Sequence, residues 1–185
     1  MDRTPFLETP AAGHYSHITR LPVVVVLDNV RSLYNTGAFF RTADACAVEK
    51  LVLCGITPRP DQGTKQKHGI AKTALGAETS VPWEYSVSTS SALETAIAAG
   101  CHVAAVETSP QAVDLYDWVP AWPVCLVFGH ETEGVSPEVG RFCETHVRIP
   151  MLGSKHSLNV ATAAGVVLYE LLRKYRDTGS LVDRA

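Results

Sequence analysis

Missing from this sequence is any run of the roughly 18 uninterrupted apolar residues that a membrane-spanning helix needs. The opening "MDRTPFLETPAAGHYSH" lacks the charged start and apolar run of a secretion signal, so the chain reads as soluble and cytoplasmic, with no membrane partner. None of the five cysteines forms a C-x-x-C pair. Most lie in apolar runs such as "LVLC" and "PVCLVF" and read as reduced core residues, a reactive thiol being the minor alternative. His14 and His17 stand near the start, and His68, His102, His130, His146 and His156 are scattered, so no metal site is expected. Three common signatures are absent: the G-x-x-x-x-G-K-[ST] phosphate loop, a G-x-G-x-x-G after a strand, and the G-x-S-x-G elbow. Excess positive charge is absent too, the net charge being −3, which argues against a generic nucleic-acid coat.

What is present is enough apolar residue, 46 % of 185, for a single domain with a full core. Five runs, "VVVVL" (23–27), "KLVLC" (50–54), "CHVAAVE" (101–107), "PVCLVFG" (123–129) and "THVRIP" (145–150), are β-branched and mostly non-alternating. Continuous apolar strands imply a sheet covered on both faces, hence a parallel one. Helix-like segments lie between them: "NTGAFFRTADACA", "SSALETAIAAG", "SPEVGRFCE" and a long final helix. The pattern predicts an α/β fold, a parallel sheet with helices on both faces and right-handed crossovers. "VPWEYS" (81–86) is a further short strand. Residues 1–20 read as an N-terminal arm, 21–176 as the domain and 177–185 as a short tail.

The polar segments share one position in this scheme. "DNVRSLYNTGAFFR", "ETSPQ", "GHETEG" and "MLGSKHSLN" each follow a strand, and in an open parallel sheet the carboxyl ends of the strands form the ligand crevice. They carry Asn35, Arg41, Glu131, Ser157 and Asn159 among glycines. Arg41 has an ordinary alternative as a salt-bridge partner of Asp44 on the same helix. Glu131 and Glu133 are equally well plain loop acids. Gly129 and Gly134 mark either a sharp turn or a close backbone approach. Ser157 is the expected N-cap of the final helix, a reading that leaves Asn159 unexplained. "PRPDQGTKQKHGIAK" sets Arg59, Lys65, Lys67 and Lys72 against Asp61 alone, and reads as a solvated loop or as a local basic surface.

Three blocks, "NVRSLYNTGAFFRTADA", "LVFGHETEGVSPEV" and "RIPMLGSKHSLNVATAAGVVLYELLR", closely resemble in sequence and order the three motifs of the SpoU (TrmH-like) branch of the SPOUT RNA methyltransferases. They span residues 29–173. The resemblance implies a SPOUT-type fold with a deep trefoil knot at its C-terminal end, S-adenosylmethionine as methyl donor and the ribose 2′-hydroxyl of tRNA or rRNA as acceptor. It implies a homodimer with its active site near the subunit interface, and no activity on DNA, which lacks the attacked hydroxyl. By the same resemblance Glu107, Gly129, Ile149, Ser157 and Leu158 line the cofactor pocket, and Asn35, Arg41, Glu131, Ser157 and Asn159 are the polar catalytic set.

Within that set the resemblance gives Arg41 the role of activating the hydroxyl. A guanidinium keeps its proton and is a poor base, so stabilising a developing alkoxide or anchoring a phosphate is the sounder role. Asn35 and Asn159 would orient Arg41 and the ribose, and Glu131 would fix its loop or pair with Arg41. Two positions depart from the pattern: His130 stands where Asn is common, and Ala161 where a Ser often follows "SLNV". With no separate RNA-binding domain in the sequence, recognition would fall to the domain, its dimer, the basic loop 59–72 and the arm. The competing readings are a knotted binding protein without turnover and an α/β enzyme acting on a small nucleotide.

Overall fold

Alternate residues of the first hydrophobic run face opposite ways, and both faces are apolar. Leu21, Val23, Val25 and Leu27 enter one buried cluster while Val24 and Val26 enter another. That pattern demands cover on both sides of the strand. The computed structural model, which describes residues 19–180, supplies it. The described elements run β1 (Leu21–Asp28), α1 (Leu33–Ala45), β2 (Val48–Cys54), α2 (Thr64–Ala74), α3 (Ala77–Ser80), β3 (Trp83–Ser86), α4 (Thr89–Ala98), β4 (His102–Val106), β5 (Val113–Asp114), β6 (Val124–Phe128), α5 (Pro137–Gly140), β7 (Thr145–Arg148) and α6 (Val160–Asp177).

The strands form one seven-stranded sheet in the order β3-β2-β1-β6-β4-β7-β5, with every pairing parallel. Phe39, Phe40 and Ala43 of α1, Ile70 and Ala74 of α2, and Ala164, Val167, Leu168 and Leu171 of α6 cover one face. Leu93 and Ala96 of α4 and Val139 of α5 cover the other. The expected α/β architecture is thus observed. No helix among the described residues is long and apolar enough to cross a membrane.

Several expectations need correction. The basic stretch is not a loop throughout, because Thr64–Ala74 is helical; its two buried residues, Ile70 and Ala74, dock on α1, and Thr73 Oγ1 donates to the Tyr34 carbonyl at 2.9 Å. Strand β5 is too short to leave a periodic signal. "SPEVGRFCE" yields only the single turn of α5, capped by Ser136. The final helix runs through Asp177, one residue past the predicted boundary of the domain, while most of the predicted arm and the last five residues of the tail lie outside the described residues.

All five cysteines are free. Burial pushes the Cys46 and Cys54 thiols up to about 12 and Cys143 up to about 11, so none of these is poised as a nucleophile.

One lysine fastens the last helix to the rest. Lys174 Nζ donates to the carbonyls of Leu115 (2.8 Å), Tyr116 (3.2 Å) and Trp118, and lies 3.6 Å from Glu170 Oε1, with both side chains only 12 % exposed. Lys174→Met keeps the apolar stem but orphans these acceptors. It should lower stability by about 2 kcal/mol, read as a lower urea midpoint with an unchanged slope. An unchanged midpoint would show that water replaces the ammonium without loss.

Candidate active site

At the carboxyl ends of β4, β6 and β7 the chain encloses a cleft of about 310 Å³. Val106, Glu107 and Thr108 line it from β4, and Phe128 to Thr132 with Gly134 from β6. The remainder of the wall comes from β7 and the segment before α6: Val147 to Ile149, Met151, and His156 to Val160. A crevice in this position follows from parallel strands, whose connecting loops all leave the same edge of the sheet. Of the four loops expected at one site, three line the cleft. The one after β1 reaches it only through hydrogen bonds.

Those bonds make a continuous relay. Glu131 Oε2 accepts from the Arg31 N–H at 3.1 Å, and Oε1 accepts from the Ser32 N–H at 3.1 Å and from Asn35 Nδ2 at 2.9 Å. Asn35 Oδ1 in turn accepts from Asn159 Nδ2 at 3.2 Å. Asn159 Oδ1 then accepts from the N–H groups of Ala161 (3.0 Å) and Thr162 (3.2 Å). Asn159, not Ser157, is therefore the N-cap of α6. Ser157 is exposed and lines the cleft instead. The cap reading was correct in kind and two residues off, because the asparagine is the residue whose other amide end meets α1.

The carboxylate beside the start of α1 also suits the positive end of that helix. Glu131 loses hydration by burial, which alone would raise its pKa. The Arg31 N–H, the Asn35 amide and the Ser32 N–H outweigh this and hold the carboxyl below its ordinary 4.5.

The opposite wall is held by Glu107. Its Oε1 accepts from the Thr108 N–H and its Oε2 from the Val135 N–H, each at 3.0 Å, so the end of β4 is tied to the loop after β6. The glycines of "GHETEG" answer a requirement of chain on chain. A Cβ on Gly129 would stand 2.2 Å from the Gly134 carbonyl carbon, and Gly134 has φ +70°. His130 and Gly134 exchange two backbone hydrogen bonds across the turn, at 3.0 and 2.9 Å.

Arg41 stands apart. It is exposed on α1, six residues beyond Asn35, and does not line the cleft. It makes no ion pair with Asp44, whose Oδ1 accepts instead from Ser80 Oγ at 2.8 Å. It does not pair with Glu131 either, since Glu131 is occupied by Arg31, Ser32 and Asn35. Glu107, Gly129, Ile149, Ser157 and Leu158 all line the cleft. Sequence reasoning missed Thr108, Arg148, Met151 and His156 in the same wall, which only their positions after strands could have suggested. Among the described residues, no group of three or more His, Cys, Asp or Glu could hold a metal ion.

A model of the SpoU rRNA Methylase family matches residues 22–169. The chain belongs to that family. This SpoU-family chain is 36 % identical over 154 residues to the 23S rRNA (guanosine-2′-O-)-methyltransferase RlmB of Ralstonia nicotianae, covering 83 % of the chain and 59 % of that protein. It resembles the AdoMet-bound rRNA methyltransferase of Sinorhizobium meliloti with a TM-score of 0.74 and 29 % identity, over 84 % of this chain and 60 % of that one. A solved structure concerned with the 2-OH methylation of C/U34 on tRNA matches with a TM-score of 0.71 and 29 % identity, over 84 % of this chain and 97 % of that one. The chain spans about three fifths of the length of the curated relatives it matches.

The lowered pKa of Glu131 has a measurable consequence for this SpoU-family site. The folded carboxyl takes up its proton less readily than the unfolded one, so ionised Glu131 stabilises the fold above pH 4.5. That contribution fades as the pH falls through the lowered native value. Glu131→Gln should therefore be less stable than wild type at neutral pH, with the deficit narrowing in acid, when urea unfolding is followed across pH. A deficit independent of pH would mean that the charge is not what holds the loop.

Proposed function

We propose that the chain is an S-adenosylmethionine-dependent methyltransferase acting on the ribose 2′-hydroxyl of a tRNA or rRNA nucleotide in the cytoplasm. The observation that carries this reading is the cleft itself, walled by three loops of a SpoU-family chain at the carboxyl ends of β4, β6 and β7. The residues fit the cofactor. The cleft volume lies at the lower end of the range for small-molecule sites, and the wall mixes apolar residues such as Val106, Phe128 and Ile149 with polar ones such as Thr108, Ser157 and Asn159. Glu107, Gly129, Ile149, Ser157 and Leu158 would hold it, largely through backbone groups. When bound, S-adenosylmethionine supplies the electrophilic methyl carbon.

The chain's own contribution is position. Asn35 and Asn159, locked to each other and to Glu131, present a rigid polar edge beside the cleft that would orient the ribose. Arg41, exposed and outside the lining of the cleft of its own chain, would act in a homodimer, stabilising the developing alkoxide or anchoring a phosphate. The deep C-terminal trefoil knot belongs to the same reading. It is supported by the way residues 149–159 complete the wall begun by the loops after β4 and β6.

RNA would meet the enzyme along α2. Lys65, Lys67 and Lys72 are exposed on a helix that contains no acidic residue, and no carboxylate among the described residues lies within ion-pair distance of them. Arg59 is engaged otherwise, 4.3 Å over the ring of Tyr85 and beside Asp61. The Thr73 to Tyr34 bond places this basic helix against the turn of α1 that carries Asn35.

Labelled methyl transfer to bulk tRNA and, separately, to bulk rRNA from a strain lacking the gene tests the reading. Label should enter one pool and fall about 100-fold or more with Arg41→Ala, cofactor binding being unchanged. Cofactor binding without label in either pool would replace the enzyme with a binding protein. Exchanging Lys65, Lys67 and Lys72 together for Gln should raise KM for RNA and flatten its dependence on salt by about 0.7 per lost phosphate contact, leaving cofactor affinity alone. An unchanged salt slope would remove α2 from the RNA surface.

A further inference from the structure

The turn "HETEG" carries a histidine whose ring faces inward on its own backbone. His130 Nδ1 accepts from the Thr132 and Glu133 N–H groups, each at 3.3 Å, and lies 3.2 Å from Thr132 Oγ1. Two converging N–H donors are met by the lone pair of Nδ1, which acts as the acceptor of the turn. Nδ1 is bonded to Cγ, as Oδ1 is in asparagine. An acceptor at that distance from the backbone, receiving N–H groups two and three residues on, is the means by which Asx residues hold tight turns.

We infer that His130 is a positioning residue for the cofactor cleft: its Nδ1 stands in for an asparagine side-chain acceptor in locking the 130–134 turn. The inference rests on the proposed function of the cleft and adds a residue to it. The turn carries three dependent features. Glu131, the next residue, must point its carboxylate at Arg31, Ser32 and Asn35. Gly134 must meet Gly129 and His130 backbone to backbone. Val135 must offer its N–H to Glu107. Loosening the turn therefore loosens both polar walls at once.

Calorimetric titration of S-adenosylmethionine into wild type, His130→Asn, His130→Gln and His130→Ala tests this, with backbone amide exchange of residues 131–135 measured on the same proteins without ligand. The expected result is binding within about threefold of wild type for Asn at neutral pH. A loss of about tenfold is expected for Ala and for Gln, whose acceptor sits one carbon too far out. Exchange should quicken for Ala and Gln and not for Asn. Ala behaving as wild type, or Asn failing as Ala does, would overturn the inference. If none of the four binds the cofactor, the reading of the cleft fails; the amide exchange then still decides whether His130 locks the turn.

Discussion

Everything at this site depends on one relay of side chains: a carboxylate, an amide and a second amide, contributed by three separate segments. Glu131 collects two backbone N–H groups ahead of α1 and the amide of Asn35, Asn35 takes the amide of Asn159, and Asn159 closes the first turn of α6. Each member both satisfies a neighbour and is satisfied, so no single member can be exchanged without leaving an orphan donor or acceptor. A carboxylate suits the end of the relay because three donors converge there, and only an ionised acid offers enough acceptor sites without a competing hydrogen.

The relay explains why so polar a set can sit beside a tightly packed sheet. Asn35 and Asn159 are already fixed by the fold, so in the proposed role the edge they present would cost no further ordering. Glu107 performs the corresponding task across the cleft by joining β4 to the loop after β6. The glycines of this turn serve the same end, since Gly129 leaves room for the Gly134 backbone. Structural duties and the proposed chemical ones thus fall on the same residues.

Much of this was legible in the residues. The parallel α/β order showed in the runs of valine and leucine, because strands buried on both faces cannot alternate. The family showed in three blocks whose polar residues are bound to glycine and to strand ends. Helix α2 was not legible: only Ile70 and Ala74 are buried, Gly69 interrupts it, and the apolar period that would announce a helix is too sparse. Its helical state is decided by docking on α1. The alternative pairing of Arg41 with Asp44 is permitted by spacing along one helix, and it is ruled out only by Ser80, 36 residues from Asp44, which claims the carboxylate.

The sequence by itself determined the main strands and helices, the faces they bury and the family, since these depend on hydrophobic pattern and on short motifs read within a few residues. Only the tertiary structure decided which residue caps α6, what Glu131 holds and where Arg41 stands. The reason is separation along the chain: Asn35 meets Glu131 across 96 residues and Asn159 across 124, and no local pattern records a bond between groups so far apart.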